Sequence, residues 1–391
     1  MGKKPYKIGF IGCGFIAEQQ VKALQQVPEI VVTALAARHK ENRESFIDKM
    51  GLAKNIPCFQ DYHEMLAMDE LDFVSISAPN RVHKEMLFAA AEAGKHVICE
   101  KPLANNLKDV DDMVEIMDKH KLKFAVYHEA AFYPENLFVR DFLAKRSSGM
   151  TRFAWLGAFA VGKWNLTPWR LDPEISGGGV VMDEGIHLCH LAKIFFGKKK
   201  PLRVTGFIDK LNQYESRVED TGSMTFEFNS GFAQANTSFM PMIGREQNMR
   251  TYSQGFLTDD ISVEMIFKGS AEGVYSPVEK VLMTAQDGIQ EYPMPDYAWP
   301  LAKNIDAFQR LYLDFIESVE NDRDPYVDGK SARDATEMVM AAYESAARGR
   351  TVGLPLATDS PIYTKGALGI KDLASEIAPD SILKRKKLYG L

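Results

Sequence analysis

The sequence predicts an α/β protein: a doubly wound parallel sheet near the N-terminus, then a second domain on a predominantly antiparallel sheet. Three observations carry that prediction. Short, wholly apolar strand candidates alternate with helical stretches through residues 5–126, as in a parallel sheet covered on both faces. A glycine loop joins the first strand to the first helix. Beyond about residue 150, strand candidates follow one another with few helices between them, the habit of an antiparallel sheet.

In chain order, "YKIGFIG" is the first strand, residues 15–27 a helix and "IVVTALAA" the second strand. "FVSISAP" is the third strand and leads into a helix over 81–93. "HVICEKP" is the fourth, "VDDMVEIMDKH" is helical and "KFAVYHE" is the fifth. In the second domain, "TRFAWLGAFA", "PLRVTGFI", "TGSMTFEFN", "GFAQANTSF" and "ISVEMIFKG" read as strands. Helical periodicity marks about 178–196, "AFQRLYLDFIESVEN" and "SARDATEMVMAAYESAARG". The expected division is 1–126, 127–356 and a C-terminal extension, 357–391, with little pattern.

Bulk properties narrow the function. The 391 residues, 46% hydrophobic, suffice for two cores. A net charge of −6 argues against a nucleic-acid partner. Cys13, Cys58, Cys99 and Cys189 form no C-x-x-C pair, which suits a reducing cytoplasm and opposes a cysteine zinc site. No apolar run reaches membrane-spanning length, and the N-terminus reads as a strand rather than a signal peptide. A cytoplasmic protein without membrane contact is expected.

"IGFIGCGFIAEQQ" supplies Gly12-x-Gly14-x-x-Ala17 between a strand and a helix. In that context Gly12 makes the tight turn, Gly14 admits a pyrophosphate close to the backbone, and Ala17 lets helix and strand approach. Phe15 and Ile16 open the helix, whose N-terminal N–H groups attract the anion. At the end of the second strand the chain reads Ala37-Arg38 where an acid would hold the ribose of NAD. An arginine there accommodates a 2′-phosphate, so NADP(H) is favoured and NAD(H) remains an option.

"GGGVVMDEGIHLCH" spans 177–190 and places Asp183, His187 and His190 on an otherwise apolar helix. On one straight helix His187 lies about 40° from Asp183 and His190 about 20° to the other side, so all three share a face. Buried polar groups need partners, and three readings follow: a metal site, an acid/base site or satisfied core residues. Three ligands spread over roughly 10 Å of helix axis do not converge on one ion, so no metal is expected.

"HVICEKPLA" ends a buried strand on Glu100-Lys101-Pro102, at the sheet edge where open α/β folds bind ligands. Together, "GFIGCGFIA", "SAPNRVHKEMLFAAAEAGKHVICEKPLA", "GGGVVMDEGIHLCHLAKIFFG", "VEDTGSMTFEFNSG" and "ARDATEMVMAAYESAARGRTVGLP" resemble the glucose–fructose oxidoreductase / inositol dehydrogenase / MocA (Gfo/Idh/MocA) family over residues 6 to about 356. The resemblance implies a Rossmann domain followed by an α/β domain with a large open sheet, and hydride transfer to or from a sugar, sugar derivative or cyclic polyol. It implies Pro79, Asn80, His83, Glu100 and Lys101 as cofactor contacts beside the glycine loop. Its D-x-x-x-H falls on Asp183 and His187, with His187 the acid/base, Asp183 orienting substrate and Lys101 polarising the reacting oxygen. His190 stands where an acid is common and reads as a supporting residue. The turn after the fifth strand, with Tyr127 and Glu129, reaches substrate in the family. Trp164, Trp169 and Arg170, just before the catalytic helix, suit stacking on a sugar ring and binding an anionic or hydroxyl group. Arg170 has Asp172 and Glu174 as nearby alternatives.

A homodimer or homotetramer through the C-terminal sheet is the expected assembly. Two other activities share these residues: bond cleavage with a recycled NAD, which stoichiometric cofactor turnover distinguishes, and a non-catalytic dinucleotide-binding scaffold.

Overall fold

The computed structural model describes residues 4–145, 151–161, 167–211, 216–240, 249–267, 278–293, 304–377 and 388–390. By its internal contacts the chain forms two compact units. One comprises Met1–Ala104, Val110–Phe132 and Leu301–Ala332, and the other Asn105–Asp109, Tyr133–Pro300 and Arg333–Leu391. The single cut expected at residue 126 therefore becomes an interleaved path.

The first unit holds six parallel strands: β1 Tyr6–Ile11, β2 Ile30–Ala36, β3 Cys58–Phe59, β4 Phe73–Ile76, β5 His96–Cys99 and β6 Phe124–Val126. Their order is β3-β2-β1-β4-β5-β6, the doubly wound arrangement whose order reverses between β1 and β4. The two-residue β3 lies outside the five strands expected, too short to show a periodicity. The central strands are buried throughout, β4 at all four positions, which explains why they read as unbroken apolar runs.

Helix Asn304–Glu320, expected in the second domain, belongs to this first unit. Phe308, Tyr312 and Phe315 are each at most 2% exposed. Phe315 meets Phe73 of β4 at 5.2 Å between ring centroids, and Phe308 meets Tyr127 edge-on at 5.8 Å. Each such aromatic stabilises the unit by about 1.5–3 kcal/mol on burial, so periodicity locates the helix while distant aromatic partners decide where it packs.

The second unit contains β7 Phe153–Val161, β8 Arg203–Asp209, β9 Thr221–Phe228, β10 Gly231–Met240, β11 Met249–Leu257, β12 Ser262–Phe267, β13 Val278–Ala285, β14 Gly288–Pro293 and β15 Val352–Gly353. They form one sheet, β14-β13-β12-β11-β7-β10-β9-β8-β15. Only β7 and β10 pair in parallel. β9 alternates buried and half-buried positions without exception, as a strand with one face on a core must. Helix Gly185–Phe195, buried at all eleven positions, supplies much of that core. On the other face Phe207 is 70% exposed, and Phe232 packs against Phe153 with the rings tilted by 46°.

The C-terminal extension is structured among the described residues. Helix Pro361–Lys365 runs into a 3-10 segment, Gly366–Glu376, and a last 3-10 turn covers Leu388–Gly390. Leu388 and Tyr389 are buried at 1% exposure each. No helix of the described residues is long and apolar enough to cross a membrane.

Candidate active site

At the carboxyl end of β1 the glycine loop has the conformation its spacing predicts. Gly12 has φ +104°, which L side chains rarely adopt, and a Cβ there would collide with the Ser77 carbonyl. Nothing lies within 4 Å of a Cβ built on Gly14, which precedes helix Phe15–Leu24. Ala17 is fully buried. Phe15 and Ile16 occupy the first turn, Phe15 half-exposed. These features fit a dinucleotide pyrophosphate: open space at Gly14 before the N-terminus of a ten-residue helix.

The end of β2 pairs with the end of β1, Ile11 opposite Ala36. Ala37 and the exposed Arg38 follow at once. The Arg43 guanidinium, from helix Lys40–Met50, donates to the Ala37 carbonyl. Sequence reasoning missed Arg43; its signal was a second arginine five residues after Arg38, in the first turns of the next helix.

Across the switch point, Pro79 is exposed and Asn80 buried in a 3-10 turn after β4. His83 and Glu100, both expected as cofactor contacts, turn inward. His83 is fully buried, with Nε2 2.7 Å from the Ala78 carbonyl and Nδ1 3.0 Å from that of Pro102. It therefore ties the β4 turn to the Glu-Lys-Pro turn, whose Lys101–Pro102 bond is cis. Glu100 is 7% exposed and accepts from Gln20 Nε2 at 2.7 Å. Gln20 Oε1 in turn accepts from Ser75 at 2.9 Å and Tyr312 at 3.4 Å. Burial first, then the Glu129 charge, pushes the Glu100 carboxyl up to about 8 against the pull of Lys101. Lys101 is half-buried at the end of β5. Tyr127, expected to touch substrate, is instead fully buried between Phe308 and Tyr312, because its position on the strand end points into the core. Glu129, half-buried, opens the next 3-10 turn.

In the second unit the predicted straight helix is broken. Helix Val180–Asp183 ends at Glu184, and helix Gly185–Phe195 begins behind it. Asp183 and His187 therefore lie on two short axes, and the angular argument from one continuous helix does not apply. The Asp183 carboxylate accepts from Arg170 Nε at 3.2 Å, both side chains about one-fifth exposed. Arg170 also lies over the Trp169 ring at 4.3 Å. Its expected local partners are engaged elsewhere: Arg217 pairs with Asp172 at 3.4 Å and Glu174 at 3.5 Å. One face of Trp169 thus holds a guanidinium rather than standing open for a sugar. His187 is 8% exposed and His190 2%. Trp164 lies outside the described residues. No group of three metal-ligating side chains occurs among the described residues.

Sequence reasoning also missed Glu219. Fully buried, it accepts from the backbone N–H groups of Gly179 and Val181 at 3.0 Å and from the Tyr343 hydroxyl at 2.8 Å. A Cβ on Gly178 would overlap the Tyr343 hydroxyl, and one on Gly179 would overlap Glu219. Of the three glycines that open this stretch, Gly179 thus admits the acid and Gly178 admits the tyrosine that donates to it. The visible signal was the glycine triplet itself.

A glycine loop at the switch point of a six-stranded doubly wound sheet, followed by an α/β unit on a nine-stranded, mostly antiparallel sheet, is the architecture of a dinucleotide-binding oxidoreductase. Family models make that specific. Residues 6–128 match the oxidoreductase family, NAD-binding Rossmann fold, and residues 156–354 its C-terminal alpha/beta domain. The chain belongs to the Gfo/Idh/MocA oxidoreductase family. Among curated relatives, it is 22% identical to the D-xylose 1-dehydrogenase [NADP(+)] of Haloarcula marismortui, over 90% of this chain and 93% of that one. It is 25% identical to the scyllo-inositol 2-dehydrogenase (NADP(+)) of Bacillus subtilis, over 60% of this chain and 72% of that one. Among solved structures, levoglucosan dehydrogenase in complex with NADH and levoglucosan superposes with a TM-score of 0.76 at 18% identity, covering 90% of this chain and 100% of that one.

Proposed function

We propose that the chain is an NAD(P)-dependent dehydrogenase or reductase of a sugar, sugar derivative or cyclic polyol, with NADP(H) favoured. The observation that carries this reading is the glycine loop at the β1/β4 switch point, with Lys101 two residues beyond the carboxyl end of β5 in the same sheet. The named activities of the family relatives support it. When bound, the nicotinamide accepts or gives the hydride. The protein handles the proton. His187 takes it from the substrate hydroxyl in oxidation and returns it in reduction. Asp183, held by Arg170, orients the substrate. Lys101 supplies a positive charge at the edge of the cofactor unit, where it stabilises an alkoxide. The exposed aromatic face around Phe207, Phe232 and Phe153 suits pairing of two copies, which light scattering of the purified protein checks.

Two variants test the assignment. Arg38→Ala raises the Kd for NADPH about tenfold, the effect of one lost charge-assisted contact, and leaves that for NADH within twofold. Fluorescence titration with both cofactors reads this directly, and equal losses for both would remove Arg38 from phosphate recognition. Arg170→Lys keeps the charge but loses the planar stack on Trp169. It lowers kcat/KM about tenfold while cofactor affinity holds; an unchanged kcat/KM refutes the role given to the Asp183–Arg170 pair.

A further inference from the structure

We infer that Tyr389, in the C-terminal extension, is a positioning residue for the catalytic helix pair, acting through Glu219. The inference rests on the acid/base roles proposed for Asp183 and His187. Its structural basis stands apart from them.

The Tyr389 hydroxyl donates to Glu219 Oε2. That oxygen also receives the Gly179 N–H at 3.0 Å. The other oxygen receives the N–H groups of Gly179 and Val181 and the Tyr343 hydroxyl. The backbone carbonyl of Glu219 accepts from Val180 N at 3.2 Å. One buried residue thus holds the first turn of the segment that ends in Asp183, and a residue of the last turn described holds that acid. Tyr389 also packs edge-on against Tyr343, centroids 5.8 Å apart. Its φ of +56° is a left-handed conformation that a non-glycine residue adopts only at a steric cost. The surrounding contacts override that cost, the pattern found where a side chain is held for a purpose.

The chemistry gives the arrangement a pH signature. Burial raises the Glu219 carboxyl above the usual range, and the Tyr389 and Tyr343 hydroxyls pull it back. The ionised carboxylate accepts from all these donors. Once protonated it has fewer acceptor sites, and the Gly179–Val181 turn loosens. The groups facing Glu219 are phenols from two elements, Tyr343 of helix Gly329–Arg348 and Tyr389. Along its own strand approach, Asp220 serves Leu211 N and Thr221, and Arg217 serves Asp172 and Glu174.

The test is Tyr389→Phe in the full chain, which keeps the ring and removes only the donor. Three readouts are taken: kcat and KM, the pH profile of kcat, and amide hydrogen exchange over 177–187. The expected result is a kcat about tenfold lower, the effect of one hydrogen bond to a buried charge, with cofactor Kd unchanged. The acid limb of the profile shifts to higher pH, because the lost donor favoured the ionised form. Exchange over 177–187 rises, while that of β9 and β10 stays as in the unaltered protein. Unchanged exchange and an unmoved acid limb overturn the proposal. So does faster exchange with kcat intact, provided His187→Asn is inactive in the same assay. If His187→Asn is also fully active, it is the acid/base reading that has failed, and faster exchange alone then upholds the link from Tyr389 through Glu219 to this segment.

Discussion

Replacing His187 with asparagine is expected to lower kcat by about 10²- to 10⁴-fold, the usual contribution of one general acid/base, and to leave cofactor affinity unchanged. Asparagine keeps a polar side chain at a position only 8% exposed and avoids the cavity that alanine would leave. It cannot carry the proton at any working pH. Steady-state kinetics on an accepted sugar, paired with fluorescence titration of NADPH, separate chemistry from binding. The glycine loop and His187 belong to different compact units, so a loss of both together would indicate misfolding. Full activity in the variant would rule out His187 as the proton carrier. The same experiment with Lys101→Met reports the electrostatic share separately, since Lys101 belongs to the first unit and His187 to the second.

The second large effect concerns stability. Glu100→Gln is expected to flatten the fall in stability that the unaltered protein shows as pH rises from about 4.5 to about 8. Folding holds the Glu100 carboxyl at about 8, against the ordinary 4.5 of a solvated side chain. Between those values the folded form keeps a proton that the unfolded chain has released, so stability declines with pH. Below 4.5 both forms are protonated, and above 8 both are ionised, so the change is confined to that window. At about 1.4 kcal/mol per pH unit, the loss across it is roughly 3–5 kcal/mol. Glutamine can still accept from Gln20 through its carbonyl, yet never ionises. Urea midpoints at pH 5 and pH 8.5 measure the difference for each protein. Parallel declines in both would mean that Glu100 does not carry the proton.

Features written in neighbouring residues were legible in the sequence. The glycine loop, most strands and three long helices follow from spacing, composition and flanking punctuation. Competition between distant partners was not legible. Arg170 has two acids within four residues, yet pairs with Asp183, because Arg217 takes Asp172 and Glu174. The apolar positions spread along Val180 to Leu191 suit one continuous helix and do not place the break at Glu184. The break accompanies the anchoring of the first turn by Glu219, some forty residues later in the chain. His83, Glu100 and Tyr127 follow the carboxyl ends of β4, β5 and β6, as expected, but position along a strand does not say which way a side chain faces. All three face the core. The described part of the extension was missed because its main element is a 3-10 segment, Gly366–Glu376, whose buried face recurs every three residues at Ala367, Ile370 and Leu373, a period that neither the helix nor the strand pattern matches.

The interleaved path has a consequence during synthesis. Gln20 and Tyr312 share a hydrogen bond across 292 positions of chain. When the ribosome has finished β6, the cofactor unit still lacks Phe308, Tyr312 and Phe315. At 5–20 residues per second those side chains are added roughly 10 to 40 s later. For that interval the nascent sheet carries an uncovered apolar patch at Phe73 and Tyr127. The nucleotide-binding half is therefore completed only after strands β7 to β14 of the other unit have been made, although its own strands are translated first.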